Sequence, residues 1–232
     1  MERIMKINIL RHITLWGLLI LTFCFSGCAG PGLYSVNMYY DAKQAMIPSY
    51  LKTDYKTSGI VISLAEFTDT RRMNDRQAIG HVVEQNGAKV LIFPKKIKAT
   101  RVIADGMGRY LKRAGYKVAD KIEQWDLKEE TIPQGAGKVI IGGNIEELEI
   151  FCRRGLPANS YNALIKFTVF IADTEKRKIL YEQKIETSYS REYVLFSEEH
   201  LADQASIVLG DAIEKLFENR FVAQKIKEAT TQ

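Results

Sequence analysis

Cysteine that pairs is the first thing this chain of 232 residues lacks: of its three cysteines, Cys24 and Cys28 close an apolar N-terminal run and Cys152 stands alone in the body. With Cys28 committed elsewhere, no internal disulfide is available, so the fold rests on its core and not on bridges. Cys152 follows an apolar run and reads as a small buried hydrophobe rather than a reactive thiol. Histidine is equally scarce. Beyond the N-terminal segment only His81 and His200 remain, and neither has Cys, Asp or Glu at a metal-ligand spacing, so no zinc site and no cofactor is expected. His200 is expected at the surface, on the first turn of the last helix. There is no Gly-x-Ser-x-Gly elbow, and Ser63 and Ser206 have no identifiable base. The charge excess is small. The chain carries +5 at pH 7, and without residues 1–27 it keeps 30 Lys and Arg against 27 Asp and Glu, too mild a balance to indicate nucleic acid.

The N-terminus carries the most specific signal. Arg3, Lys6 and Arg11 precede the apolar stretch from Ile13 to Phe25, which has the about 7–15 residues of a signal-peptide core and falls short of the about 20 that span a bilayer. Either Met1 or Met5 serves as a start. Ser26 and Gly27 offer a peptidase small side chains at the cut, and Cys28 then supplies a thiol for a diacylglyceryl group, as in bacterial lipoproteins. Phe25 stands where Leu is commonest in that pattern, and the other reading is a plain secretory signal with Cys28 as an incidental thiol. Several acyl chains, at about 0.8 kcal/mol per buried methylene, hold a protein on a membrane. In enteric bacterial lipoproteins an Asp after the modified cysteine goes with inner-membrane retention; the residue here is Ala29, which by that resemblance implies the periplasmic face of the outer membrane over the inner membrane.

The periodicities divide the chain into a signal over 1–27, a lipidated cysteine and tether over 28–57, one globular domain over 58–224 and a fraying charged tail over 225–232. The tether contains Tyr34, Tyr39 and Tyr40, an aromatic load that suits docking on the body better than free flexibility or a membrane interface. Gly59 to Phe67 reads as a first strand, Ile79–Val83 and Ala88–Phe93 as a hairpin around Asn86-Gly87, and Tyr116–Ala119 as a short strand. Apolar residues from Val102 to Ala114 recur every three or four positions and stop at Gly115, which predicts a helix. Val139 to Cys152 alternates but slips across Glu146-Glu147, predicting a long strand with a bulge. Two further alternating strands, 161–172 and 179–189, form a hairpin, and a last helix begins after Ser197. The expected fold is α+β: a mostly antiparallel twisted sheet with two amphipathic helices packed on one face.

This order of features resembles the YajG-type bacterial envelope lipoproteins: the processing run, the strand leading into Asp69-Thr70-Arg71, the pair Ile79-Gly80, the helix ending in Leu111-Lys112-Arg113-Ala114-Gly115-Tyr116, the strand with Ile141-Gly142-Gly143, and a terminal helix. The resemblance covers about residues 57–220. It implies an envelope lipoprotein and brings no catalytic residues with it.

The densest charges, Asp69, Arg71, Arg72, Asp75 and Arg76, fall on the loop after the first strand, so Asp69, Arg71, Arg72 and Arg76 are the candidate contacts for a ligand or partner. A loop that pairs its own charges is the competing reading. If these residues grip an anionic partner, replacing Arg71 and Arg72 by Ala weakens binding with little change in melting temperature. Asp105-Gly106-Met107-Gly108 lies within the predicted helix, where glycines serve close packing rather than phosphate binding. Glu146 and Glu147, alternating along a strand, are not expected to converge for acid–base work. The functional expectation is a lipid-anchored, non-enzymatic binding or scaffolding domain facing the periplasm. Its partners are the membrane and another envelope protein. The alternative is an auxiliary lipoprotein of a transport or lipid-trafficking system, with a lipid ligand in an apolar cavity.

Overall fold

Alternation with period two builds the centre of the molecule. Tyr161, Ala163, Ile165, Phe167, Val169 and Ile171 are all buried, whereas Asn162, Leu164 and Lys166 between them are only partly covered. One side of this strand therefore faces the core and the other meets solvent. The computed structural model describes residues 32–53, 61–73, 75–135 and 137–229, of which Leu33 onward belongs to one unit. The processing run Ser26-Gly27-Cys28 and the first two residues of the predicted first strand lie outside the described residues.

In chain order the elements are β1 (Tyr34–Val36), β2 (Val61–Ala65), β3 (Thr68–Asp69), β4 (Gly80–Val83), β5 (Lys89–Pro94), α1 (Ala99–Arg113), β6 (Lys117–Glu123), β7 (Val139–Arg153), β8 (Asn159–Asp173), β9 (Lys178–Tyr193), α2 (Glu198–Glu218) and α3 (Arg220–Glu228). The nine strands among the described residues join one open sheet. β7 pairs antiparallel with β8, and β8 with β9. Along its other edge β7 meets β2, β3 and β4 in turn, all parallel. β6 adds to β2 and β1 to β5 in parallel, while β4 and β5 form the antiparallel hairpin. The sheet is thus mostly antiparallel by registered residues, and its parallel contacts are short. The predicted slip in β7 is a register shift between Ile145 and Glu147, which lets both Ile145 and Leu148 face the core. The hairpin turns at Gly87, whose φ of 82° suits a residue without Cβ.

The apolar stripes of α1 and α2 enter the same core cluster as the alternating face of β8, so both cover one side of the sheet. Tyr110 of α1 stacks on Phe217 of α2 at 4.8 Å between ring centroids. On the other side the described residues bury a small apolar cluster of Ala65, Trp125, Ile132, Ile140 and Ala172.

Two boundaries differ from the sequence expectation. The segment read as a tether is part of the body from Leu33 to Thr53. Val36, Met38, Tyr40, Ala42, Ala45 and Leu51 are buried, Tyr40 donates to Glu214 at 2.9 Å, and Thr53 N–H bonds to the Ala114 carbonyl at 2.9 Å. Its short apolar spacings carry no period because they fill the groove beside α1 and α2 instead of forming a long element. At the other end, residues 225–228 continue α3 rather than fray. Asn219 caps that helix by accepting from the Phe221 N–H at 3.0 Å, and Val222, Ala223 and Ile226 are buried beneath it.

Ser197 caps α2 as expected, its Oγ accepting from the His200 N–H at 3.1 Å. Ser197→Ala is expected to cost about 1 kcal/mol in chemical denaturation, and Ser197→Asp to restore most of it.

Candidate functional site

The charged loop after β2 is folded onto the bulge of β7. Thr70 reaches the Ile145 carbonyl twice, through its N–H at 3.0 Å and its hydroxyl at 2.8 Å. That turn drives Arg71 inward, and only 2 % of it remains exposed. Its Nε donates to one Asp69 carboxylate oxygen at 3.0 Å and an Nη to the other at 2.8 Å. The remaining N–H groups reach the carbonyls of Ala78 (2.9 Å), Leu148 (3.3 Å) and Arg76 (2.6 Å), and one also meets Met73 Sδ. Burial opposes ionisation of Asp69, but the hydrogen bonds and charge of Arg71 outweigh it and hold the carboxyl below its ordinary range. Asp69 and Arg71 form an internal clasp joining β3, β4 and β7.

Arg72 and Arg76 point outward, and into two different clefts. Arg72 borders an open cleft of about 660 Å³ with Thr70, Met73, Glu146, Glu147 and Glu149. Arg76 borders a second cleft of about 370 Å³ with Lys95, Lys96, Ile97 and Lys98 at the start of α1, a cationic mouth suited to anionic side chains. The loop's four candidate residues thus fall on two clefts joined by the internal clasp, Arg71 bordering the first cleft with Arg72 and Asp69 the second with Arg76. Sequence reasoning missed the lysines of the second cleft. They follow β5 in sequence and come beside Arg76 only because Ile79 and Ile92 are hydrogen-bonded.

The bulge also changes the expectation for Glu146 and Glu147, which border the same cleft instead of facing opposite ways. The additional residue at the register shift breaks the alternation locally. Each carboxylate meets a cation: Glu146 pairs with Lys184, and Glu147 lies 3.5 Å from Lys166, which it shares with Glu186 at 3.1 Å. The Lys184 hydrogen bond, aided by Thr168, holds Glu146 below the ordinary carboxylate range. It is thus kept as an anion, the state opposite to that of a general acid.

Burial pushes the Cys152 thiol up to about 11, so this cysteine is the packed hydrophobe the sequence indicates. His81 Nδ1 lies 3.4 Å from Glu149. His200 differs from the expected surface residue: its ring stacks on Tyr193 with centroids 3.7 Å apart, and its Nδ1 is buried without a hydrogen-bond partner among the described residues. The imidazole packs there because α2 starts directly against the end of β9. Gly106 and Gly108 are packing glycines, for a Cβ there would lie 2.5 Å from Ile213 and 2.9 Å from Leu64. Among the described residues no group of three or more His, Cys, Asp or Glu stands close enough to hold a metal, and no helix is long and apolar enough to cross a membrane.

No family model matches the chain, and no curated protein matches it. Among solved structures it is similar to the protein XCC0632 of Xanthomonas campestris, of the family DUF330, at 9 % identity and a TM-score of 0.52 over 87 % of this chain and 100 % of that one. That likeness shows a shared fold. A looser overlap, at 9 % identity and a TM-score of 0.34, covers 69 % of this chain and 99 % of the lipoprotein GNA1162 of Neisseria meningitidis.

Proposed function

We propose that this protein is a lipid-anchored bacterial envelope lipoprotein of the YajG type. In this reading its body is a non-catalytic binding domain facing the periplasm, on the outer membrane. The observation that carries the reading is the Ser26-Gly27-Cys28 run closing a basic-then-apolar N-terminus. The body supports it in two ways. Cys152, the one cysteine among the described residues, is buried and free, its thiol held protonated, which leaves Cys24 and Cys28, and of these Cys28 is the one preceded by the small Ser26 and Gly27. The clefts beside Arg72 and Arg76 are open and charged, the first by glutamates facing Arg72 and the second by lysines beside Arg76; such surfaces suit the charged groups of another envelope protein, acidic ones at Arg76, better than a lipid tail, which calls for an enclosed apolar cavity. Arg72 and Arg76 are the partner contacts in this reading.

Cys28→Ser is expected to abolish incorporation of labelled fatty acid and to release the protein from membranes on cell fractionation. Continued labelling of that variant would refute the anchor. In cells crosslinked before lysis, Arg72→Ala with Arg76→Ala should remove the captured partner protein while leaving the fatty-acid label in place; recovery of lipid alone would count against protein binding.

A further inference from the structure

One end of the sheet carries large aliphatic side chains that the fold does not use. Leu156, on the loop from β7 to β8, is 90 % exposed, and Val194 and Leu195, on the loop from β9 to α2, are 76 % exposed each. The two loops are neighbours, since Asn159 at the start of β8 registers with Tyr193 at the end of β9. Asn159 clasps them: its Nδ2 donates to the carbonyls of Tyr193 at 3.1 Å and Val194 at 3.0 Å, and its Oδ1 accepts from the Gly155 N–H at 3.4 Å. Behind them Phe196 is braced by Tyr34 at 5.3 Å between centroids and by the Arg154 guanidinium 4.7 Å from its ring. The leucines and valine thus stand on a fixed base, and an apolar group of this kind held out in water marks a contact surface.

The path of the chain says what the surface meets. β1 pairs Tyr34 with Ile92, Ile92 pairs with Gly80, and Gly80 with Ile150, while Val83 pairs with Arg153. β1 runs parallel to β5 and opposite to β7, so the polypeptide enters the body from the Arg153 end, where both loops lie. Leu33, itself 69 % exposed, is the first residue on that path. Four residues separate it from Cys28, a span that full extension limits to about 18 Å. An acylated Cys28 therefore keeps this end of the body close to the bilayer. The charges around the loops are mixed, with Arg153, Arg191 and Lys89 against Glu192, Glu198 and Glu199, and Arg154 is paired to Glu84 at 2.6 Å. Attraction to acidic headgroups is not what the patch is built for.

We infer that Leu33, Leu156, Val194 and Leu195 form a membrane-seating tip that enters the interface of the bilayer holding the Cys28 anchor. The tip fixes the orientation of the body on that membrane and presents the rest of the sheet outward. Apolar insertion of this kind needs no anionic lipid. The inference rests on the lipid-anchor reading above.

The test uses the full, acylated protein in phosphatidylcholine vesicles, with an environment-sensitive fluorophore attached at Leu156→Cys, Leu195→Cys or Phe221→Cys. Phe221, 61 % exposed, is the control. It lies beside Asn219, which bonds to Tyr181 and Gln183 near the opposite end of β9. The expected result is a blue shift and several-fold stronger quenching by bilayer-embedded spin-labelled lipid at 156 and 195 than at 221. Protein that floats with the vesicles while all three probes remain equally wet would overturn the tip and leave the anchor standing. Protein that does not float would overturn both. Probes at 156 and 195 already shielded in the Cys28→Ser protein, with neither lipid nor detergent present, would place a second copy on the patch and also overturn the inference.

Discussion

Arg71→Ala is expected to destabilise the fold by about 3–5 kcal/mol, the range for removing one partner of a buried ion pair, read as a lowered denaturation midpoint at neutral pH. The substitution takes away both hydrogen bonds to Asp69 and leaves the carbonyls of Arg76, Ala78 and Leu148 short of a donor. Water entering the vacated space offsets part of that loss, which sets the lower end of the range. Arg72→Ala, at an exposed side chain, should stay within about 0.5 kcal/mol. The sequence-based expectation that both arginines are replaceable without thermal cost therefore survives only for Arg72. Arg71→Lys should recover little, because an ammonium cannot reproduce the two-pronged contact with a carboxylate.

The same clasp has a pH signature. The folded carboxyl of Asp69 is held below its unfolded value, which is about 3.9. The stability it contributes is therefore full above that value and is lost as pH falls through the lower folded pKa. Between neutrality and about pH 5 the difference between the wild type and Arg71→Ala should be constant, and below about pH 4 it should shrink. A difference that stays flat down to pH 2 would mean that Asp69 is not the partner that matters.

The parts of the fold legible in sequence are those whose signal is local and long. β7, β8 and β9 announce themselves by alternation, the bulge by its slip at Glu146, and α1 and α2 by their stripes, α1 also by its stop at Gly115, whereas the break at Asn219 between α2 and α3 carries no such signal. The parallel pairings were not legible. β3 has two residues, and its partners Asn144 and Ile145 lie some 75 positions away, so neither period nor turn chemistry identifies them. The candidate site failed for a related reason. Asp69-Thr70-Arg71-Arg72 has the composition of a solvated loop, and only the placement of Thr70 on the Ile145 carbonyl turns one arginine in and the next one out. The one local clue is the spacing of Asp69 and Arg71, which lets a single carboxylate oxygen accept from both the N–H and the Nε of Arg71, at 3.1 and 3.0 Å. The Leu156 and Val194-Leu195 tip has no sequence signal at all, because it exists only when two distant loops meet.

Gly80→Ala should approach or exceed the upper end of the about 1–3 kcal/mol usual for overpacking. A Cβ at this position would stand 1.9 Å from the backbone oxygen of Ile150. No side-chain rotation relieves a clash between a Cβ and a backbone atom, so one strand must move. β7 is held along its whole length by β8, whereas β4 has four residues, and β4 is the strand that yields. Its displacement loosens the buried Ile79 and Val82 and pulls the Ala78 carbonyl from Arg71. Hydrogen exchange should accordingly quicken at Arg154, whose N–H bonds to Val83 at 2.9 Å, and stay slow along β8. This explains the Ile79-Gly80 pair as a packing requirement, one imposed by the fold whatever the protein binds. Because Gly80→Ala and Arg71→Ala both sever the contact at Ala78, the double variant should lose less stability than the two single losses added together. Strict additivity in denaturation would show that the clasp and the β4–β7 approach are independent, contrary to their shared contact at Ala78.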